Sequence, residues 1–308
     1  MNENNNNFYR QICKTMKIAT YSGTKAILQK YGLRPRKSLG QNFLIDPHVL
    51  GKIIRAADIR PSDTVLEIGP GIGGLTQALA ESARQVVAVE LDGHLVKILK
   101  EICPSNVDIV HKDILDYNIP KNIQKVVANL PYYMTTPILM YLLENFRFKS
   151  ITVMVQKEVA QRMIGTVGKK GDKGEKSYGA ISLAIQYYTN AEIAAYVPPN
   201  SFIPRPQVGS AVVHMEILEN PPVTVDRTAL FINIRAGFGQ RRKILVNSLH
   251  GAELYPFNKE ELAAIIAGCG FSENVRGEEL TLEDWARLTE ALMIAIDSLD
   301  GHMPVAAP

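Results

Sequence analysis

From Thr64 onward the chain alternates short, β-branched apolar runs with stretches of helical periodicity. Thr64–Ile68 reads as a buried strand that runs into a glycine-rich turn. Residues 75–81 read as a helix, Gln85–Glu90 as a second strand and 94–100 as a second helix. Residues 107–110, 125–129 and 151–155 give three more strands. Continuous apolar strands alternating with helices predict a parallel sheet covered on both faces, an α/β architecture. Two later strands, 191–197 and 210–218, flank a proline-rich loop with no obvious crossover helix, so they predict an antiparallel pair at the sheet edge. After Asn220-Pro221-Pro222 the strand signal stops. Residues 227–236 and 241–250 read as helices. Asn258 with Glu261 caps another that ends at Gly268, and Thr281 with Asp284 opens a last one reaching about Ile296.

This pattern divides the chain into an N-terminal extension (1–36), an α/β domain (37–220) and a small all-helical C-terminal domain (221–308). Residues 165–176 form a charged, glycine-rich loop by composition. A length of 308 residues suits such a division. With 46% hydrophobic and 21% charged residues, a disordered chain, a collagen-like repeat and a disulfide-stapled miniprotein are excluded. No apolar run approaches the ~18 residues of a membrane span. The polar, asparagine-rich start lacks a signal-peptide pattern. Cys13, Cys103 and Cys269 are widely spaced with no CxxC, which suits a reducing, cytoplasmic compartment and offers no metal framework.

The net charge of +3 is uninformative until it is divided. Residues 1–60 carry +8, 61–130 carry −3, 131–220 carry +2 and 221–308 carry −4. A basic entry segment can dock phosphate backbones, and it can equally be the solvated face of a helix. Arg34, Arg36 and Lys37 lead into Ser38-Leu39-Gly40-Gln41-Asn42-Phe43-Leu44, whose composition reads as a loop.

Gly69-Pro70-Gly71-Ile72-Gly73-Gly74 satisfies G-x-G-x-x-G between a strand and a helix, a nucleotide-cradle signal. Glu90 ends the next strand, where it can accept hydrogen bonds from ribose hydroxyls. Both features fit NAD, as in a dinucleotide-dependent oxidoreductase, and both fit S-adenosylmethionine. Glu67, two residues before Gly69, leans towards the latter.

Asn129-Leu130-Pro131-Tyr132 ends the fourth strand, where ligands bind in open α/β sheets. Methylation of an exocyclic amine needs such a group, because the amine lone pair is delocalised into the ring. Acceptors at the Asn129 side chain and the Leu130 carbonyl can hold both amine hydrogens. Pro131 stiffens the turn, and Tyr132 offers a stacking face. Asp113 can accept from a cofactor adenine, or simply cap a helix. Phe202 and Arg205 lie in a proline-rich loop that can present an aromatic to the far face of a base; a Phe plugging the core is the alternative. Arg241, Arg242 and Lys243 cluster at the start of a predicted helix, where cations oppose the dipole. An external anion such as RNA phosphate is one reason for them, and a solvated cluster is another.

Taken together, the 38–44 segment, Glu67-Ile68-Gly69-Pro70-Gly71, Asn129-Leu130-Pro131-Tyr132, Gln156-Lys157-Glu158-Val159 and the 202–210 segment resemble the ribosomal RNA small-subunit adenine dimethylases. The resemblance runs from about Lys37 to Leu249. It implies a Rossmann-like methyltransferase sheet with a helical C-terminal domain. It also implies N6,N6-dimethylation of two adjacent adenosines in the 3′-terminal hairpin loop of 16S rRNA, with S-adenosylhomocysteine as product. By matching positions, Asn42, Leu44, Gly69, Gly71, Glu90, Asp113 and Asn129 would line the cofactor site. Leu130 and Tyr132 would hold the target, with Phe202 opposite and Arg205 and the 241–243 cluster on the RNA. The expected partner is a 30S assembly intermediate, met by a monomer with no membrane contact. Tyr133-Met134 departs from the Asn-Ile common in the family, and the 165–176 loop looks longer than usual. The large-subunit dimethylases of antibiotic resistance share part of the pattern. An assembly factor that binds RNA without catalysis is a third reading of the same fold.

Overall fold

The computed structural model describes residues 17–36, 39–168, 178–240 and 243–300. Two compact units divide them: Met1–Ala160 with Thr189–Ile217, and Gln161–Tyr188 with Leu218–Pro308.

The first unit is built on a seven-stranded sheet. Its strands are β2 (Thr64–Ile68), β3 (Gln85–Glu90), β4 (Val107–His111), β5 (Lys125–Asn129), β6 (Ser150–Gln156), β7 (Thr189–Val197) and β9 (Ser210–Ile217). They lie in the order β4-β3-β2-β5-β6-β9-β7. The first five are mutually parallel, and β9 runs antiparallel between β6 and the edge strand β7. All five residues of β2 are buried, as expected of a strand covered on both faces. Strand order reverses at the β2–β5 junction, so a crevice opens beyond the carboxyl ends of these two strands.

Helices α3 (Gly74–Ser82), α4 (Gly93–Ile102) and α5 (Thr135–Asn145) follow β2, β3 and β5. Helices outside the sequence expectation include α1 (Tyr21–Lys30), α2 (Pro47–Ala56), α5 and, after β6, α6 (Lys157–Met163). The second has an evident cause: Asp46 accepts from the His48 and Val49 amides, and Pro47 occupies the first turn. A separate two-stranded sheet pairs β1 (Phe43–Leu44) with β8 (Phe202–Ile203) in antiparallel register, Phe43 opposite Ile203 and Leu44 opposite Phe202.

The second unit is helical: α7 (Ala180–Tyr188), α8 (Arg227–Gly239), α9 (Leu245–His250), α10 (Lys259–Gly268) and α11 (Leu282–Asp300). Trp285, Leu230 and Leu288 are fully buried at its centre. A Cβ at Gly237 would collide with the Trp285 ring, so glycine is what lets α8 and α11 approach. The Asn258–Glu261 capping box is formed as expected. Residues 161–188, which the sequence pattern leaves with the sheet, group with the C-terminal helices. Tyr188 stacks on Phe231 of α8 with ring centroids 5.7 Å apart, and Tyr187 meets the same ring edge-on. Helix α9 begins at Leu245, not Arg241, so Lys243 lies just before its Ile244 N-cap and not in its first turn. Among the described residues no helix is long and apolar enough to cross a membrane.

Candidate active site

The β2–β5 crevice deepens into a cavity of about 310 Å³. The turn after β2 forms one wall. Gly69, Gly71 and Gly73 have φ of 67°, 61° and 87°, the left-handed region that favours glycine. At Gly71 a Cβ would also sit 3.2 Å from the Phe43 ring, so the turn is tight against β1. Its amide donates to Glu90 Oε2 across 3.1 Å, while Glu90 Oε1 accepts from the Asp92 amide at 2.8 Å. Glu90 therefore clamps the glycine turn and lines the cavity with the same carboxylate. Burial pushes its pKa up, the two amide bonds pull it down, and the Asp92 charge raises it again.

Glu67 lies on the cavity lining, 1% exposed, and its Oε2 has no hydrogen-bond partner among the described residues. Burial pushes its pKa up to about 8, against the Thr76 hydroxyl, which pulls it down, and with the nearby Glu90 charge, which raises it. A buried carboxyl with an unpartnered oxygen calls for a polar partner, and a ligand in the cavity would supply one.

The opposite wall is the segment after β5. Asn129 Nδ2 donates to the Asn42 backbone carbonyl at 3.1 Å. That bond fixes the amide orientation and leaves Oδ1 as an acceptor. Leu130 donates its amide to the Met154 carbonyl at 3.1 Å, which anchors the turn to β6. Tyr132 is half-buried in a 3-10 turn (Tyr132–Met134), and its hydroxyl shares a 2.8 Å hydrogen bond with Ser210 Oγ. Burial raises its pKa, partly offset by Ser210, so the phenol stays neutral. Ser210 is a supporting residue that sequence reasoning missed. No local signal marks it, because the contact joins β5 to β9 across 78 residues.

Asn42, Leu44, Gly69, Gly71, Glu90, Asp113, Asn129, Leu130 and Tyr132 all line this one cavity. Asp113 accepts from the Leu115 amide at 3.0 Å, so the capping alternative also holds; one oxygen caps the turn. Phe202 is different. It is 2% exposed and packs in the core with Leu44, Val197 and Val212, the plugging alternative, and it is not on the cavity lining. The β1–β8 ladder pairs it with the buried Leu44. Arg205 is exposed in the same loop, and Lys243 is exposed in the second unit. Lys37, Ser38, Arg241, Arg242 and residues 169–176 of the charged loop lie outside the described residues.

Comparison with known proteins agrees with this geometry. The family model for ribosomal RNA adenine dimethylase matches residues 32–293. A relative named ribosomal RNA small subunit methyltransferase A, from Alkaliphilus oremlandii, is 44% identical over 288 residues, covering 90% of this chain and 98% of its own. One of the same name from Lachnoclostridium phytofermentans is 48% identical over 282 residues, covering 87% and 95%. Among solved structures, a dimethyladenosine transferase from Plasmodium falciparum superposes with a TM-score of 0.67 at 26% identity, covering 83% of this chain and 97% of that one. The 23S rRNA methyltransferase ErmE gives 0.59 at 27%, covering 82% and 100%. The cradle after β2, the tetrapeptide after β5 and a family match spanning most of both units lead to one conclusion: this chain belongs to the ribosomal RNA adenine dimethylase family.

Proposed function

We propose that this chain dimethylates N6 of two adjacent adenosines in the 3′-terminal hairpin loop of 16S rRNA, using S-adenosylmethionine. The observation that carries this reading is the Asn129 side chain, tied through Nδ2 to the Asn42 carbonyl on the lining of a cavity walled by the Glu67–Gly71 turn. The 44–48% identity to proteins named for the small subunit favours that particle.

The cavity residues fit the cofactor. Glu90 would hold the ribose, Asp113 the adenine and the glycine turn the close backbone approach, with Asn42, Leu44 and Gly69 beside them. When bound, S-adenosylmethionine supplies a methyl group on a sulfonium and leaves as S-adenosylhomocysteine. Everything else falls to the protein. Asn129 Oδ1 and the Leu130 carbonyl accept the two amine hydrogens of adenine. This favours pyramidalisation and frees the lone pair from the ring. Pro131 (φ −62°) and the Leu130–Met154 bond hold that acceptor pair rigid. Tyr132 stacks under the base, its hydroxyl tethered by Ser210. A methylated amine sheds its proton readily, so no strong base is required. Positioning and fixed dipoles do the work. A stacked adenine cannot present its amine in line, so the base must be extruded into the cavity. Arg205 and the 241–243 cluster serve as RNA contacts, on a monomer acting in the cytoplasm on a 30S assembly intermediate.

The test is tritium transfer from labelled S-adenosylmethionine to small-subunit particles lacking the modification, followed by nucleoside analysis. Dimethyladenosine at two adjacent positions is expected. Transfer to naked large-subunit rRNA instead would overturn the reading in favour of the antibiotic-resistance type. Binding of NAD in place of S-adenosylmethionine would overturn the chemistry.

A further inference from the structure

A cationic surface lies in the first unit with no part in the chemistry above. On α4, His94, Lys97 and Lys100 recur every three residues, so they share one exposed face. His111, at the end of β4, closes the same open hollow. Its Nε2 lies 3.3 Å from the Leu91 carbonyl. Lys112 follows, exposed, on the rim of the cofactor cavity.

The nearby carboxylates make other contacts, two of them ion pairs. Glu101 pairs with Lys30 at 3.1 Å. Asp92 takes Arg36 at 3.2 Å and caps α4. Asp108 accepts from Gln85, and Asp113 caps its own turn. Among the described residues Lys97 and Lys100 have no ion-pair partner. Residues 61–130 carry a net −3, yet three of their six Lys and Arg residues (Lys97, Lys100 and Lys112) sit on this surface. A second hollow, lined by Arg34 and Arg36, also contains His94, so the basic entry segment and the α4 face are continuous. Complementing the helix dipole would explain Lys100 in the last turn. It would not explain His94 in the first turn, or His111 and Arg34 on other elements.

We propose that the α4 face, His94, Lys97 and Lys100 with His111, docks the sugar–phosphate backbone of the rRNA at a distance from the extruded base. This rests on the rRNA reading above. The two ammonium groups neutralise phosphates and read no sequence, the two imidazoles offer hydrogen bonds to phosphate oxygens, and each neutralised phosphate releases counterions.

The full chain carrying Lys97→Gln and Lys100→Gln tests it. Lys52→Gln with Lys121→Gln, both exposed, is the matched loss of charge elsewhere; Lys97→Arg with Lys100→Arg keeps the charge. Binding to unmethylated small-subunit particles is measured between about 50 and about 200 mM salt. The Gln pair should bind more weakly, with the log–log salt slope shallower by about 1.5, the share of two phosphates. Its S-adenosylmethionine affinity should stay unchanged, and the Arg pair should keep the wild-type slope. An unchanged slope, an equal loss in the control pair, or a loss in the Arg pair would overturn the proposal. If the wild-type chain neither binds nor methylates the particles, the rRNA reading itself fails.

Discussion

The Asn129 side chain and the Asn42 backbone are joined by one hydrogen bond, from Nδ2 to the carbonyl, 3.1 Å long. That contact occupies the Nδ2 end of the amide and leaves Oδ1 to accept. Asn129→Asp is therefore expected to be worse than its size suggests, because an oxygen would replace the donor opposite Asn42. Asn129→Ala should lower kcat by about 10²–10³, the cost of one lost oriented group, while cofactor affinity changes little. Single-turnover rates beside calorimetric titration separate the two; equal losses in both would make Asn129 only a cofactor contact.

Tyr132 is expected to act through its ring more than its hydroxyl. Tyr132→Phe removes one hydrogen bond to Ser210, worth about 1 kcal/mol, so kcat/KM should fall less than tenfold. Tyr132→Ala removes the stacking face, worth ~1–3 kcal/mol per base, and should cost more, mainly through RNA affinity. A Phe variant as damaged as the Ala variant would assign the role to the hydroxyl.

Phe202→Ala is expected to lower stability by ~3–5 kcal/mol, because it opens a cavity in the core beside Leu44. Phe202→Leu should retain most of both stability and activity. Urea unfolding followed by turnover checks this. A Leu variant with full stability and no turnover would restore the base-facing role.

Glu67 gives the protein free of cofactor a pH dependence. Its folded pKa, about 8, exceeds the ordinary value of 4.5. The folded state thus holds a proton that the unfolded chain releases, and stability falls as pH rises from about 4.5 to about 8. Glu67→Gln should flatten that slope, as read from denaturation midpoints at several pH values. An unchanged slope would mean that Glu67 is already ionised in the fold.

Much of the sheet was legible because its strands are buried on both faces and read as unbroken apolar runs. Thr64–Ile68, Gln85–Glu90 and Lys125–Asn129 have the bounds the pattern assigns. The cavity residues were legible for a related reason: Gly71, Glu90 and Asn129 sit at strand ends, where position alone implies a ligand. What escaped depends on distant partners. Two-residue strands such as Phe43–Leu44 carry no periodicity, and Phe202 looks like a loop aromatic until its register with Leu44 is known. Residues 161–188 were misplaced because an apolar helix does not announce which core it joins. Long-range ring contacts such as Tyr188 and Tyr187 on Phe231 show it. Helix α2 is another matter, since Asp46-Pro47 is a legible start signal.

The order β6-β9-β7 has a consequence for synthesis. Strand β7 leaves the ribosome before β9 but can join the sheet only through it, since β9 lies between β7 and β6. Strand β1 likewise waits about 160 residues for β8, and Tyr132 waits for Ser210. A nascent chain halted before about residue 200 therefore has the glycine cradle and the Asn129 tetrapeptide on paired strands β2 and β5, but lacks the β8 partner of β1 and the Ser210 partner of Tyr132. The cavity walls contributed by β1 and Tyr132 therefore gain their long-range partners late in translation, after most of the parallel sheet has been made.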